Sequence, residues 1–232
     1  MQIDQAEQTE KELVKNQSVE IVLSEDQIRG YLVVEPEHAP KDPYLSEEIV
    51  SMKKKVESGR VGLFIIRFEG KVVSVGRADI FTYNIIDWLP HNAKFAQLDD
   101  AFTQERYRGL GLHKKIVEAR VRWAEEKGLK WAETTVSEHN IPSILGKLRS
   151  GFFLISPEEY RLIRFLDEGL IKKFQVNKDE EQMVSIEDYE QRGKLHAEGW
   201  VGTDMMYKGT KEGEEQNQDI ANWQIIMNPL LK

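Results

Sequence analysis

Residues 95–115 read FAQLDDAFTQERYRGLGLHKK, a strand candidate, a glycine turn and the first residues of a helix in direct succession. In the first part, alternation points Ala96, Leu98 and Phe102 to one side of a strand and Gln97, Asp99 and Ala101 to the other. In the last part, Leu112, Ile116, Ala119 and Trp123 recur with a helical period, flanked by Val117, Val121 and Ala124, until Gly128 stops the run. Between them lies RGLGLH, residues 108–113. A strand, a glycine turn and a helix N-terminus are the parts of a phosphate site. The first turn of a helix leaves backbone N–H groups unpaired, its dipole adds positive potential, and glycine lets a bulky diphosphate approach the chain. Arg106, Arg108, Lys114 and Lys115 add charge of the right sign.

Three phosphate motifs compete for this stretch. The P-loop ending Gly-Lys-Ser/Thr is absent, and the dinucleotide fingerprint fails because residue 114 is lysine. The pattern R-x-x-G-x-G/A is met by Arg108, Gly109, Leu110, Gly111 and Leu112, with His113 departing at its last position. By itself the hexapeptide fits a phosphate cradle and a loose turn before a surface helix equally well.

Upstream, SVEIVLS is a short strand candidate, and EDQIRGYLVVEPEHAPKDP leaves its structure open until its prolines. LSEEIVSMKKKVESG predicts a helix with Ser46 as N-cap and Gly59 past its end. FIIRFEGKVVSVGRADIF predicts a hairpin turning at Glu69-Gly70, and a loop follows around Trp88-Leu89-Pro90. Downstream, LKWAETTVS predicts a strand, Asn140 and Pro142 open a short helix that ends at Gly151, and FFLIS is strand-like. EEYRLIRFLDEGLIKKF predicts a helix, while DEEQMVSIEDYEQRGKLHAEG has no clear pattern. WVGTDMMYKG and ANWQIIMNP predict two strands around a very polar loop.

The 232 residues suffice for a sizeable core without disulfides or metals. A net charge of −8 argues against a general nucleic-acid binder, and zero cysteines exclude thiolate catalysis and thiolate zinc sites. The N-terminus lacks a signal peptide's apolar core, and no window approaches a membrane span, so a soluble, cytoplasmic protein is expected. His38, His91 and His196 show no metal-ligand spacing, so no metal is expected.

Taken together, these residues resemble the GNAT family, the Gcn5-related N-acetyltransferases. The family's R-x-x-G-x-G/A loop follows its fourth strand and opens a long helix. A fifth strand comes next, then an asparagine, then a short helix ending in Gly-Phe, here ETTVSEHNIPSILGKLRSGFF with Asn140, Gly151 and Phe152. The hairpin resembles the family's second and third strands. The resemblance implies an α/β (α+β) fold with a mixed, mostly antiparallel central sheet, splayed fourth and fifth strands and flanking helices. It covers residues 19–156, with a polar tail at 1–18 and an extension at 157–232.

The resemblance also implies roles. Loop amides from Gly109 through Leu110, Gly111, Leu112 and His113 to Lys114 would bind the pyrophosphate of acetyl-CoA, with Arg108 and Asn140 as further contacts. Ala101, Phe102 and Thr103 would meet the pantetheine arm, and a backbone N–H there would stabilise the oxyanion of acyl transfer. The reaction would move an acetyl group directly to an amine of a small molecule or peptide. The amine must lose a proton and the leaving thiolate must gain one. A position where family members carry a basic glutamate is Gln97 here, which leaves Asp99 as base, or Asp100 if the strand is bulged, or else the two aspartates as a solvated pair at a strand edge or bulge. The family's acidic tyrosine, seven residues after the asparagine, is Lys147. That lysine is a proton donor or thiolate stabiliser, or else a plain exposed helix residue. Glu138-His139 reads as acid/base chemistry or as a solvated loop. Glu35, Glu37, Glu47, Glu48, Phe81, Tyr83 and Trp88 are candidates to meet the amine-bearing acceptor. No nucleic acid or membrane partner is expected, and the last two strands either complete the sheet or pair in a homodimer. Gln97 and Lys147 keep a second class open, an acyl-CoA-binding module without turnover.

Overall fold

In the computed structural model of the chain, residues 9, 10, 12–34, 44–82, 89–156, 160–207 and 223–231 are described. The chain forms two compact units, residues 1–127 and 128–232.

In the first unit four strands run antiparallel in the order of the chain: β1 (Glu20–Ile21), β2 (Val61–Phe68), β3 (Lys71–Phe81) and β4 (Phe95–Thr103). Phe68 pairs with Lys71 across the two-residue Glu69-Gly70 turn, so the expected hairpin forms. α1 (Glu25–Leu32) fills the stretch that the sequence left open. A reciprocal cap starts it. The Ser24 hydroxyl accepts from the Gln27 amide, and the Gln27 side chain accepts from the Ser24 amide. α2 (Tyr44–Glu57) begins upstream of Ser46, which therefore lies inside the helix and not at its cap. Leu45 explains the earlier start: it is buried one helical turn before Ile49 and shares a cluster with Ile49 and Met52. α1 and α2 together cover one face of the strands through Ile28, Tyr31, Ile49, Leu63, Ile65 and Val75.

α3 (Leu112–Glu126) covers the other face. Its Trp123 meets Phe64 edge-on with ring centroids 6.3 Å apart. A short 3-10 turn, Glu105–Tyr107, joins β4 to the loop before α3.

The second unit is also antiparallel. Its strands lie in the order β5 (Trp131–Thr135), β7 (Arg161–Phe165), β6 (Phe153–Leu154), β10 (Trp200–Tyr207), β11 (Trp223–Leu231). β8 (Gln175–Val176) and β9 (Gln182–Ser185) both pair with β11. α4 (Ile141–Leu148) and α6 (Tyr189–Ala197) pack on β10, and α5 (Glu168–Lys173) packs on β7. The last two expected strands thus pair with each other, and β10 joins the sheet through Gly202 and Leu154.

The helix predicted over EEYRLIRFLDEGLIKKF is not there: residues 161–165 are β7, and only 168–173 are helical. Leu162 and Ile163 are both fully buried between β5 and β6. Strand pairing on both sides outweighs the weak local helical pattern. Asp167 then starts α5 by accepting the Leu170 amide at 3.1 Å.

Candidate active site

β4 does not alternate throughout. Val75 pairs with Phe102 and Arg77 with Asp99, so two steps on β3 match three on β4. The extra residue sits at Asp100, whose φ is +46°. This is a β-bulge, and it exchanges the faces of everything beyond it. Phe102, expected beside Ala96 and Leu98, instead packs with the α1–α2 cluster, on the face of Gln97 and Asp99.

The bulge gathers charge on that face. Arg77 donates to Asp79 and, at 2.8 Å, to Asp100. Gln97 donates to the Asp99 carboxylate at 3.2 Å, and the buried Tyr31 hydroxyl stands 3.5 Å from the Asp100 carbonyl. Burial pushes the Asp99 carboxyl above the ordinary aspartate range. The charges of Asp100 and Asp79 add to the rise, and the Gln97 hydrogen bond and Arg77 oppose it. A carboxylate so placed holds a proton more readily than a free aspartate, which is the property a base of moderate strength needs.

Opposite the bulge is Gly76. A Cβ there would lie 2.4 Å from the Ile116 side chain and 3.1 Å from the Arg120 guanidinium, so only glycine lets α3 approach this closely. Arg120 reaches from α3 to the carbonyls of Arg77 and Asp99, at 3.1 and 2.9 Å. Nothing in the sequence reading singled out Arg120. Its signal was present, a charged residue one turn from Ile116 and Trp123 on the apolar stripe of α3.

Beyond the bulge the chain turns through Arg108, whose guanidinium donates to the Thr103 carbonyl at 3.2 Å. Gly109 and Gly111 then adopt φ of +79° and +77°, and Gly111 is the N-cap of α3. A left-handed cap of this kind costs any other residue about 1–2 kcal/mol. Among the described residues no atom lies within 4 Å of a Cβ placed on either glycine, and the first turn of α3 carries no acidic residue. The helix supplies no acceptor for the amides of that first turn. An anion the size of a diphosphate fits here on both steric and electrostatic grounds. Leu112 is buried, His113 is half-buried and Lys114 is exposed, 3.8 Å from Glu118.

Lys115 has another task. Its ammonium donates to the carbonyls of Lys15 and Gln17 at 2.6 and 2.7 Å. Tyr107 donates to Glu10 at 3.1 Å, and Val14 is fully buried. The N-terminal segment is therefore fastened just before and just after the glycine loop.

In the second unit, Asn140 caps α4 by accepting the Ser143 amide at 3.2 Å, with Pro142 in the first turn as expected. Lys147 is not an exposed helix lysine. It is 2% exposed, with its ammonium 5.5 Å from the centre of the Phe152 ring. Glu138 accepts from Tyr189 and lies 3.4 Å from the exposed His139. Of the acceptor candidates, Phe81 stacks on Phe95 with centroids 5.9 Å apart, and Glu47 is exposed on α2. Glu35, Glu37, Tyr83 and Trp88 lie outside the described residues. Among the described residues no helix is long and apolar enough to cross a membrane, and no acid and histidine cluster could hold a metal ion.

A bulged strand, a glycine loop and a helix N-terminus open to an anion follow one another from β4 to α3. The chain belongs to the acetyltransferase (GNAT) family, whose family model matches residues 22–145, more than half of its 232 residues. Solved structures similar to it include glucosamine-6-phosphate N-acetyltransferase from Arabidopsis thaliana, 18% identical over 58% of this chain and 90% of that one, with a TM-score of 0.46. A GNAT family N-acetyltransferase from Escherichia coli in complex with CoA is 15% identical over 66% and 82%, with a TM-score of 0.46. A predicted acetyltransferase with acetyl-CoA from Clostridium acetobutylicum is 11% identical over 59% and 89%, with a TM-score of 0.48. No curated protein matches the chain.

Proposed function

We propose that the protein is an acetyl-CoA-dependent N-acetyltransferase that acylates an amine of a small molecule or peptide by direct attack. The observation that carries this reading is the glycine loop at the start of α3, sterically open at Gly109 and Gly111 and free of acids in its first turn. Bound acetyl-CoA would supply an activated thioester. The amides from Gly109 to Lys114 would hold its pyrophosphate, with Arg108 close by. The backbone of Ala101, Phe102 and Thr103 would align the pantetheine arm, and an N–H of the bulged strand would stabilise negative charge on the acyl oxygen. Although the strand is bulged, Asp100 is held in an ion pair with Arg77 at 2.8 Å, so Asp99 is the group that accepts the amine proton, directly or through one water, and its raised proton affinity suits it to that step. The N–C bond forms as the C–S bond breaks, and Lys147 is the group assigned to return a proton to the sulfur. Asn140 contributes by capping α4, the helix that carries Lys147.

A second reading is a module that binds acyl-CoA without turnover. Gln97 favours it, since the amide stands at a position where family members carry a basic glutamate. Titration with acetyl-CoA by calorimetry, followed by a CoA-release assay over an amine panel, separates the two. Absence of binding defeats both. Binding with amine-dependent CoA release establishes the first, and binding without release across polyamines, aminoglycosides, amino sugars and peptide N-termini supports the second.

A further inference from the structure

Arg120 is a charge in an unusual place. It is fully buried, and among the described residues its Nε and Nη2 make no hydrogen bond. Within the same residues no carboxylate comes within ion-pair distance of it. Only Nη1 is engaged, by the carbonyls of Arg77 and Asp99. Those two residues are directly paired across the sheet, at the last regular rung before the bulge. A buried, unpaired cation is costly to keep, and apolar side chains of similar volume usually serve stability at least as well. Stability therefore does not explain its presence, whereas the geometry around it does.

The Asp99 carbonyl is drawn toward α3 by a charged donor. In a trans peptide the N–H points opposite to the C=O, so the Asp100 amide is turned away from α3. The adjoining residue, Asp100, is at φ +46°, the left-handed region that aspartate enters more readily than most residues and that the unmatched residue of the bulge occupies here. Gly76 completes the arrangement, because a side chain there would displace Arg120 from behind the bulge.

Resting on the acetyl-transfer reading, we propose that Arg120 is a positioning residue: it pins the Asp99–Asp100 peptide, so that the bulge presents its amide to the reacting carbonyl, and places a fixed positive charge behind it. The charge itself is fully buried, where its effect on developing negative charge is larger than that of a solvated cation. Around the bulge the charged and titratable groups are Asp79 and Arg77 on β3, Asp99 and Asp100 on β4, Tyr31 on α1 and Arg120 itself on α3. Arg120 is the one of these that stands on the α3 side.

The test uses the full chain with R120M, a neutral side chain of similar length, and R120K, which keeps the cation. R120M is expected to melt no lower than wild type and to keep acetyl-CoA affinity within about threefold, yet to lose about 100-fold in kcat. R120K is expected to stay within about tenfold of wild-type kcat, since one ammonium donor can still reach a carbonyl. The amide chemical shifts of Asp100 and its neighbours on β4, followed by NMR without any ligand, should move in R120M and move less in R120K, because the peptide they report on is no longer pinned. Unchanged Asp100 amide shifts in R120M overturn the inference whether or not the protein transfers acetyl groups. So does a kcat for R120M within threefold of wild type. Wild-type protein that binds acetyl-CoA but turns over no amine counts against the acetyl-transfer reading, and with it against a catalytic consequence of Arg120. Altered Asp100 amide shifts would then show a hold on the bulge alone.

Discussion

Gly111 offers the sharpest test of the phosphate cradle, through the pair Gly111→Glu and Gly111→Gln. The two replacements have nearly the same size and force the same left-handed φ of +77° on a side chain. Each should therefore cost about 1–2 kcal/mol of folding stability, lowering Tm by roughly 2–8 °C for a chain of this size. Steric conflict adds nothing, because among the described residues no atom lies within 4 Å of the new Cβ. Only the charge differs. At a separation of about 5 Å one unit of like charge costs about 0.8 kcal/mol in water's dielectric and about 3 kcal/mol at an effective dielectric of 20. Gly111→Glu should accordingly bind acetyl-CoA about 4- to 150-fold more weakly than Gly111→Gln. The gap should narrow as salt rises from 50 to 500 mM, since the site is open to solvent. Calorimetric titration of both variants at two salt concentrations measures it. Equal affinities for the two variants at low salt would remove the pyrophosphate from this loop.

Three further outcomes follow from the site. Asp99→Asn should lower kcat by about 100-fold and abolish the acidic limb of the pH–rate profile, which in wild type lies above the ordinary aspartate value of about 3.9. The same shift bears on stability. A carboxyl whose folded proton affinity is raised contributes stability that is fully present below about pH 3.9 and is lost as pH rises through the folded value. Melting temperatures of Asp99→Asn should thus decline less above about pH 4 than those of wild type. Gly76→Ala should destabilise by about 1–3 kcal/mol or more, seen in urea unfolding, because its Cβ would stand 2.4 Å from Ile116 in a packed interface. Lys147→Met should keep the fold and lower kcat more than acetyl-CoA affinity, while Lys147→Tyr, which restores a phenol beside Phe152, should recover turnover; equal kcat in all three proteins would release Lys147 from the reaction.

Much of this protein was legible in its sequence because the signals are local. The helical period from Leu112 to Trp123, the Glu69-Gly70 turn, and the Asn140 and Pro142 start of α4 each declare themselves within a few residues. So does the succession of strand, glycine loop and helix that leads to the family. Three other features depend on tertiary packing and strand pairing, and there local reading failed. Residues 161–165 are a strand because β5 and β6 flank them, against a helical pattern of their own. Lys147 is buried, with its ammonium 5.5 Å from the centre of the Phe152 ring, which periodicity cannot report. The bulge at Asp100 exists only in the pairing of β4 with β3. A single unmatched residue there carries Phe102 to the face of Asp99 and brings Arg120 behind the strand. Sequence by itself determined which residues could cradle a phosphate. Only tertiary structure decided which side of the sheet the carboxylates and the buried cation occupy, because a strand's facing is set by its register against a neighbour and not by its own residues.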